Sequence, residues 1–209
     1  MKRKAAIQKL SNLVNKDLRE LADKYKVTVF TDSGGKNKGW AGHVLEKYLG
    51  LPINSSRRPN AGSWELKLVS LKYQKSGELK VKETMAITMI NPDDLERTEF
   101  ENSHLLAKLK RIVIGARIWE SKEEEKSLFY GVTTFDLLGN LEVYNQIKDD
   151  YNSVKETIRT RGFSALKSEM GKYIQPRTKG RGHGSTSRAF YARKPFLNEF
   201  ILPRLSQAK

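Results

Sequence analysis

The chain has 209 residues, of which 38% are hydrophobic and 30% are charged, and its formal net charge at pH 7 is +15. This balance is typical of one globular domain with its own core and excludes a disordered chain. The sequence contains no cysteine, which excludes disulfides, thiolate metal sites and a cysteine nucleophile. Because no apolar run approaches the ~20 residues of a membrane span, and the basic N-terminus lacks the apolar part of a secretory signal, we expect no membrane contact and a cytoplasmic location.

The positive charge is concentrated toward the C-terminus. No acidic residue occurs between Glu169 and Glu199, whereas a surface that only needs solubility usually mixes its signs. A polyanion such as duplex DNA would offset the self-repulsion, although charge alone does not separate DNA from RNA, and a ribosome-associated protein is an alternative. The basic residues of this window are Lys172, Arg177, Lys179, Arg181, Arg188, Arg193 and Lys194.

Helical and strand patterns alternate along the chain. In chain order we predict a helix over 5–25, a helix over 40–49, a loop over 52–63, strands over 64–71 and 79–90 joined as a hairpin, a helix over 103–111, strands over 111–116 and 128–135, a helix over 140–160, a loop over 175–188, a strand over 189–192 and a helix from about 195. This order predicts an α+β fold with a central mixed sheet flanked by helices. We expect a single domain over 1–209, with a catalytic lobe over about 1–135 and a DNA-reading lobe over about 136–209.

The central motif is Glu65-Leu66-Lys67 in the first predicted strand. Residues i and i+2 of a strand project from the same face, so an acid and a base are held side by side. A carboxylate can bind a hard divalent cation, and a lysine can orient or help deprotonate an attacking water. Taken alone the motif is weak evidence, because cross-strand salt bridges often produce the same pattern. Its spacing from other carboxylates therefore matters, and Glu46 offers a further acid from the preceding helix.

The segment 179–188 is rich in glycine, arginine, serine and threonine and precedes a strand that carries Tyr191. Glycines let the backbone approach DNA closely, arginines suit guanine edges or phosphates, and hydroxyls can contact either. The alternative is a basic loop without a ligand. The predicted DNA-binding residues are Lys38, Arg177, Lys179, Arg181, His183, Ser185, Arg188, Tyr191, Arg193 and Lys194.

Four separated blocks resemble the MutH family and its GATC-cutting restriction relatives, which belong to the PD-(D/E)xK superfamily. The blocks are Lys38-Gly39-Trp40-Ala41-Gly42-His43-Val44-Leu45-Glu46-Lys47-Tyr48-Leu49-Gly50; Glu65-Leu66-Lys67 with Glu83-Thr84; Ser103-His104 with Lys108-Leu109-Lys110-Arg111; and Tyr173 to Lys179 with Ala189 to Lys194. The Pro-Asn-x4-Glu-Leu-Lys spacing also resembles the MvaI and BcnI restriction enzymes. Four separated blocks in the same order as in the family are far more specific evidence of the resemblance than any one block alone.

The resemblance implies a restriction-endonuclease-like fold and a Mg²⁺-dependent type II restriction endonuclease that cuts double-stranded DNA and leaves a 5′-phosphate. It implies that Glu46, Asn60 and Glu65 surround Mg²⁺, that Lys67 positions the hydrolytic water, and that Lys108 reaches toward the active site. Arg177, Lys179 and Tyr191 match residues that contact DNA, and in the family the tyrosine senses adenine methylation. A cognate DNA methyltransferase would share the recognition site without having to bind, and the enzyme would be a monomer or a homodimer.

Position 60 departs from the family pattern, because it is Asn where the pattern has Asp. An asparagine can offer one neutral oxygen to a cation but lacks the negative charge. Three explanations are open: an engineered inactive variant, which we favour, a natural variant that relies on Glu46 and Glu65, or a dead nuclease kept for binding. An alignment that places the ligand seven residues before Glu65 meets Arg58, which cannot bind a metal. Besides restriction, the alternatives are a MutH-like mismatch-repair nicking endonuclease and a catalytically dead, sequence-specific DNA-binding protein.

Overall fold

The computed structural model describes residues 1–53, 58–180 and 186–205, and it consists of helices packed on two β-sheets. The helices are α1 (Arg3–Ser11), α2 (Leu18–Lys24), α3 (Trp40–Leu49), α4 (Pro92–Arg97), α5 (His104–Leu109), α6 (Leu141–Arg161) and α7 (Lys194–Phe196), which continues as a π-turn (Leu197–Ile201). The strands are β1 (Glu65–Tyr73), β2 (Leu79–Val81), β3 (Met85–Met89), β4 (Ile112–Ile118), β5 (Phe129–Phe135), β6 (Ile174–Thr178) and β7 (Arg188–Ala192).

The first sheet has the strand order β2-β1-β4-β5 and is mixed. β1 and β4 are parallel, with Glu65 opposite Ile112, whereas the β1–β2 and β4–β5 pairs are antiparallel. The helix α5 lies in the connection that leads into β4, as parallel neighbours require a long crossover. The predicted α+β class with a central mixed sheet and flanking helices is confirmed.

The second sheet has the order β3-β7-β6 and is antiparallel. This sheet corrects the predicted hairpin of strands 64–71 and 79–90. From the second of these predicted strands, three residues form β2 and pair with β1, whereas β3 pairs with β7. Residues 79–90 have one continuous apolar pattern. Such a pattern does not show which neighbouring strand each half of the segment pairs with. The described part of the segment 175–188, predicted as a loop, also contains the strand β6, despite its Pro, Arg and Thr residues.

The predicted N-terminal helix is also wrong in one respect, because α1 and α2 are separate. α1 ends at Ser11, and Asn15 in the turn that follows has a left-handed backbone with φ 64°. Asp17 accepts a hydrogen bond from the Arg19 N–H at 2.9 Å, which begins α2. By contrast α3 has the bounds that its apolar spacing predicts. It ends at Gly50, whose φ of 69° is the left-handed conformation that favours glycine.

Two apolar clusters lie on the two faces of the first sheet. Leu66 packs with α1 to α3, and Val69 packs with α6 and the second sheet, because successive side chains of β1 alternate between faces. Gly115 of β4 lets α3 approach closely: a Cβ there would lie 2.9 Å from side-chain carbons of Leu45 and Phe129. The division into lobes near residue 135 stays a prediction, and β3 is the part of the N-terminal segment that joins the C-terminal strands. In the residues described, none of the helices combines the length and the apolar character that crossing a bilayer requires.

Candidate active site

Glu65 is the centre of a buried polar cluster at the start of β1. Its side chain is 2% exposed. Its Oε1 accepts a hydrogen bond from the Lys108 Nζ and forms an ion pair with the Lys67 Nζ, and each of these distances is 3.0 Å. Its Oε2 accepts from the backbone N–H of Asn60 at 2.8 Å. The alternation of β1 therefore brings Lys67 to the same face as Glu65, as the sequence predicts, and α5 supplies the second ammonium.

Asn60 joins this cluster to α3. Its Oδ1 accepts from the Leu66 N–H at 2.8 Å, and its Nδ2 donates to the Glu46 Oε1 at 3.1 Å. An amide has both an acceptor end and a donor end, so it satisfies both partners, whereas a carboxylate cannot donate to Glu46. The structure thus brings together all five residues that the sequence singled out for chemistry, and their catalytic roles stay a prediction.

Burial shifts two of these groups toward their neutral forms. Burial raises the pKa of Glu46, opposed by the hydrogen bond from Asn60 and by the charges of His43 and Lys67. Burial also lowers the pKa of Lys67, against the attraction of Glu65, which raises it. A lysine that loses its proton more easily than usual is suited to accept a proton from water.

The oxygen ligands of this cluster are of the kind that a hard cation prefers, but the net charge of the cluster does not attract one. The carboxylates of Glu46 and Glu65 and the amide of Asn60 supply the oxygen atoms that Mg²⁺ prefers. Two carboxylates and the ammonium groups of Lys67 and Lys108 leave the cluster with no net charge, so nothing draws a divalent cation in strongly. Within 1–53, 58–180 and 186–205, no three Asp, Glu or His side chains gather as a metal-binding group. A third carboxylate at position 60 would supply the missing charge.

A cleft of about 590 Å³ opens beside the cluster, between α3, β1 and the second sheet. Four of the predicted DNA contacts line it, namely Lys38, Arg177, Lys179 and Tyr191, together with Glu46 and Lys67. The Arg177 guanidinium donates to the Thr84 hydroxyl at 2.8 Å and lies 5.6 Å from the centre of the Tyr191 ring. This cleft is therefore open to a ligand, and most of the charged residues that line it are basic.

The other predicted DNA contacts lie elsewhere. Arg188 donates to the Thr178 hydroxyl at 3.0 Å, Arg193 donates to backbone carbonyls that include Glu169 at 3.0 Å, and Lys194 is exposed. None of these three lines the cleft, so the structure adds no support for their predicted role. Arg181, His183 and Ser185 fall outside the described residues.

Sequence reasoning missed a second buried charge group at the cleft, around Arg117 of β4. Its guanidinium pairs with Glu124 at 3.0 Å, donates to the Ser70 hydroxyl at 3.1 Å and lies 5.2 Å from the Trp40 ring. Lys36 pairs with the same glutamate, and Arg117 and Ser70 line the cleft. Ser70 lies directly across the β1–β4 ladder from Arg117, and this pairing brings the two side chains together. The sequence does not show the register of the two strands.

His43 is a second missed residue, and here a signal existed. It lines the cleft and lies three residues before Glu46 on α3, a spacing that places both side chains on one helix face. Its charge acts on the pKa of Glu46, lowering it against burial.

The segment that carries this site is similar to known DNA mismatch repair proteins. The family model for the DNA mismatch repair enzyme MutH matches residues 49–139, a stretch that contains Asn60, Glu65, Lys67 and Lys108. The DNA mismatch repair protein MutH of Vibrio campbellii is 22% identical over 234 residues, covering 97% of this chain and 94% of that protein. The chain is therefore similar to MutH proteins, and the resemblance predicted from the sequence blocks is confirmed.

Restriction enzymes are also related to this MutH-like chain. The type II restriction enzyme Sau3AI of Staphylococcus aureus is 23% identical over 148 residues, which cover 69% of this chain and 30% of that enzyme. A solved complex of the restriction endonuclease MvaI with its cognate DNA substrate aligns with 94% of this chain and 96% of its own chain, at 12% identity and a TM-score of 0.38. The family match and the mixed sheet with flanking helices together confirm the restriction-endonuclease-like fold.

Proposed function

We propose that this MutH-like protein is a Mg²⁺-dependent endonuclease that hydrolyses phosphodiester bonds of double-stranded DNA. The observation that carries the proposal is the single hydrogen-bonded cluster in which a helix, a loop and a strand bring Glu46, Asn60, Glu65 and Lys67 together. The cluster borders a cleft lined by cations, as a phosphate ligand requires. MutH is named as a mismatch repair protein, Sau3AI as a restriction enzyme, and MvaI binds its cognate DNA.

In the proposed reaction Glu46, residue 60 and Glu65 would hold Mg²⁺, which would supply positive charge beside the scissile phosphate. Lys67 orients a water and, when neutral, takes its proton as the water oxygen bonds to phosphorus. The bond from phosphorus to the 3′ oxygen then breaks, and that oxygen takes a proton from a solvent water, which leaves a 5′-phosphate and a 3′-hydroxyl. Lys67 returns its own proton to solvent. Lys108 keeps Glu65 in place through their 3.0 Å contact.

Among the enzymes of this class we propose a type II restriction endonuclease rather than a mismatch-repair nickase. The chain has no obvious feature that assigns it a repair partner, and Sau3AI, one of the proteins similar in sequence, is named as a restriction enzyme. A catalytically dead DNA-binding protein is the second candidate. The observation that favours it is the neutral charge of the cluster with Asn at position 60.

Replacing the amide by a carboxylate tests the enzyme function. We expect Asn60→Asp to raise Mg²⁺-dependent cleavage of plasmid DNA by roughly tenfold or more, because altering the ligand shell of a metal commonly changes activity by 10- to 100-fold. Cleavage is followed as conversion of supercoiled plasmid with and without Mg²⁺. Asn60→Ala is the matched control, since it removes the amide without adding charge, and adding Glu65→Gln to the aspartate form should abolish the gain.

The ends of the cut plasmid separate the candidates. Paired breaks in both strands at one short sequence support restriction, and breaks in one strand support the nickase. If the aspartate form cuts no duplex at all, methylated, hemimethylated or unmethylated, the enzyme proposal is wrong and the DNA-binding function stands.

A further inference from the structure

Three lysines lie on one face of the β1–β2 hairpin, beyond the cleft. Lys72 and Lys80 are directly opposite in the antiparallel ladder, and Lys82 follows Lys80 by two residues, which places it on the same side. The neighbouring pair Leu71 and Val81 is buried on the opposite face. We call the three residues Lys72, Lys80 and Lys82 the lysine face.

The like charges of the lysine face destabilise the folded protein when no anion is bound. Like charges directly opposite in a ladder are destabilising. Two carboxylates partly offset them: Glu78 pairs with Lys80 at 3.1 Å and Glu83 with Lys82 at 3.9 Å. Both pairs are exposed at the glutamate, where an ion pair contributes little to stability and is screened by salt. These carboxylates can therefore give way to a stronger anion.

An indole holds two of the ammonium groups in place. The Trp119 ring lies 5.2 Å from the Lys72 Nζ and 4.4 Å from the Lys82 Nζ, within the range of a cation–π contact. Trp119 is itself fixed, because its backbone N–H donates to the Leu71 carbonyl at 2.8 Å. The lysine face therefore combines a flat aromatic support with positive charge.

The lysine face is continuous with the cleft. Ser70 and Arg117, which line the cleft, are opposite each other in the sheet and lie on the same face of β1 as Lys72. The Lys82 backbone N–H donates to the Ser70 carbonyl at 2.8 Å. Lys67 and Lys72 are five residues apart on β1, so their side chains lie on opposite faces of the strand, and the cleft, which residues 66–70 line, is bordered by both faces.

We propose that the lysine face is a second phosphate-binding surface, which holds the duplex where it leaves the cleft beside Ser70 and Arg117. This inference rests on the proposed function, since it assumes that duplex DNA occupies the cleft. The ligand is the phosphate backbone and not the bases, because a flat, exposed lysine surface can neutralise charge without reading base edges.

The test is the salt dependence of DNA binding by a triple variant. In Lys72→Gln/Lys80→Gln/Lys82→Gln the charge is lost while a polar side chain with part of the aliphatic stem is kept. The control variant Lys4→Gln/Lys9→Gln/Lys16→Gln removes the same charge from exposed residues that do not line the cleft. Binding to a duplex of about 30 base pairs is measured without Mg²⁺, at several salt concentrations, by fluorescence anisotropy.

Each phosphate contact contributes about 0.9 to the slope of log affinity against log salt, so we expect the slope to fall by about 2–3 in the lysine-face variant and by much less in the control. The variant with arginine at the same three positions should keep the full slope, and urea unfolding shows whether each variant is folded. Equal slopes for the lysine-face and control variants, or a loss in the arginine variant equal to that in the glutamine variant, would overturn the inference. If the unaltered protein binds no duplex at low salt, the proposed function itself fails.

Discussion

Asn60 is the residue on which the chemistry of the site depends most. Its amide connects Glu46 to β1 and makes the cluster stable without a metal, because every close pair of polar atoms is a donor with an acceptor. An aspartate at this position would place an oxygen where the Nδ2 now lies, 3.1 Å from a Glu46 oxygen. Two carboxylate oxygens so close together repel each other unless a cation or a proton lies between them.

This repulsion predicts a stability that depends on metal. We expect Asn60→Asp to lower the free energy of unfolding by about 1–3 kcal/mol without divalent cations, the usual cost of a buried polar group that loses its partner. Mg²⁺ should restore the loss, because a ligand that binds only the folded state stabilises it. Urea unfolding with EDTA and with Mg²⁺ measures both effects. Asn60→Ala also loses the hydrogen bonds, but its stability should not respond to Mg²⁺; a similar response in both variants would contradict this account.

The residues of the cluster could be predicted from the sequence, and their surroundings could not. The alternation of a strand suffices to place Glu65 and Lys67 on one face, and a short loop before β1 brings Asn60 near. The pairing of Arg117 with Glu124 and Ser70 depends on the register between β1 and β4 and on a loop that returns to it. Local patterns carry no information on such long-range contacts.

At the scale of elements, the Arg117 group connects segments that flank the cleft. Lys36 precedes α3 and Glu124 precedes β5, and the buried Glu124 pairs with both Lys36 and Arg117 of β4. Glu124 is 1% exposed and has a left-handed backbone with φ 53°, a conformation that a non-glycine residue adopts only when its surroundings hold it. The network therefore fixes the segment that leads to Lys38 and α3.

The network predicts a pH-dependent contribution to stability. Burial acts to raise the pKa of Glu124, but hydrogen bonds from Arg117 and Lys36 outweigh it and hold that pKa below its ordinary value of 4.5. A carboxyl with a lowered pKa stabilises the fold above its unfolded pKa, and this stabilisation is lost as pH falls through the folded value. Glu124→Gln should therefore cost about 3 kcal/mol at pH 7, as for a broken buried ion pair.

Urea unfolding at pH 7 and at a series of lower values measures this difference. The gap between the unaltered protein and Glu124→Gln should narrow below about pH 4.5. Glu125→Gln is the matched control, because its exposed neighbouring carboxylate should matter little at any pH. A gap that stays constant down to pH 3 would show that the glutamate acts by packing and not by charge.

The second sheet depends on a buried carboxylate that the sequence did not indicate. Asp150 of α6 is 3% exposed and accepts hydrogen bonds from the backbone N–H groups of Lys172, Tyr173 and Ile174 at 2.7 to 2.9 Å. These contacts set the start of β6, which carries Arg177 into the cleft. Gly171 completes the turn, since a Cβ there would lie 2.0 Å from the Ile174 carbonyl oxygen. In the sequence, Asp150 looks like one more polar residue of an amphipathic helix.

At the scale of the whole molecule, two sheets meet around one cleft. The first carries the candidate catalytic residues on β1, and the second carries Arg177 and Tyr191 on β6 and β7. The class of fold followed from the order of predicted elements, but the exchange of β3 into the second sheet did not, because pairing between distant strands leaves no local trace. The net charge of +15 is consistent with a polyanion that spans both sheets.

The central claim is that a helix, a loop and a strand gather a divalent cation at residues 46, 60 and 65, beside Lys67. The most direct measurement is anomalous scattering from Mn²⁺ soaked into crystals of the Asn60→Asp variant. We predict one strong peak within coordination distance of the carboxylates at positions 46, 60 and 65. If the cluster holds no Mn²⁺ while the variant cuts DNA, or the peak lies at other residues, the account of the active site is contradicted.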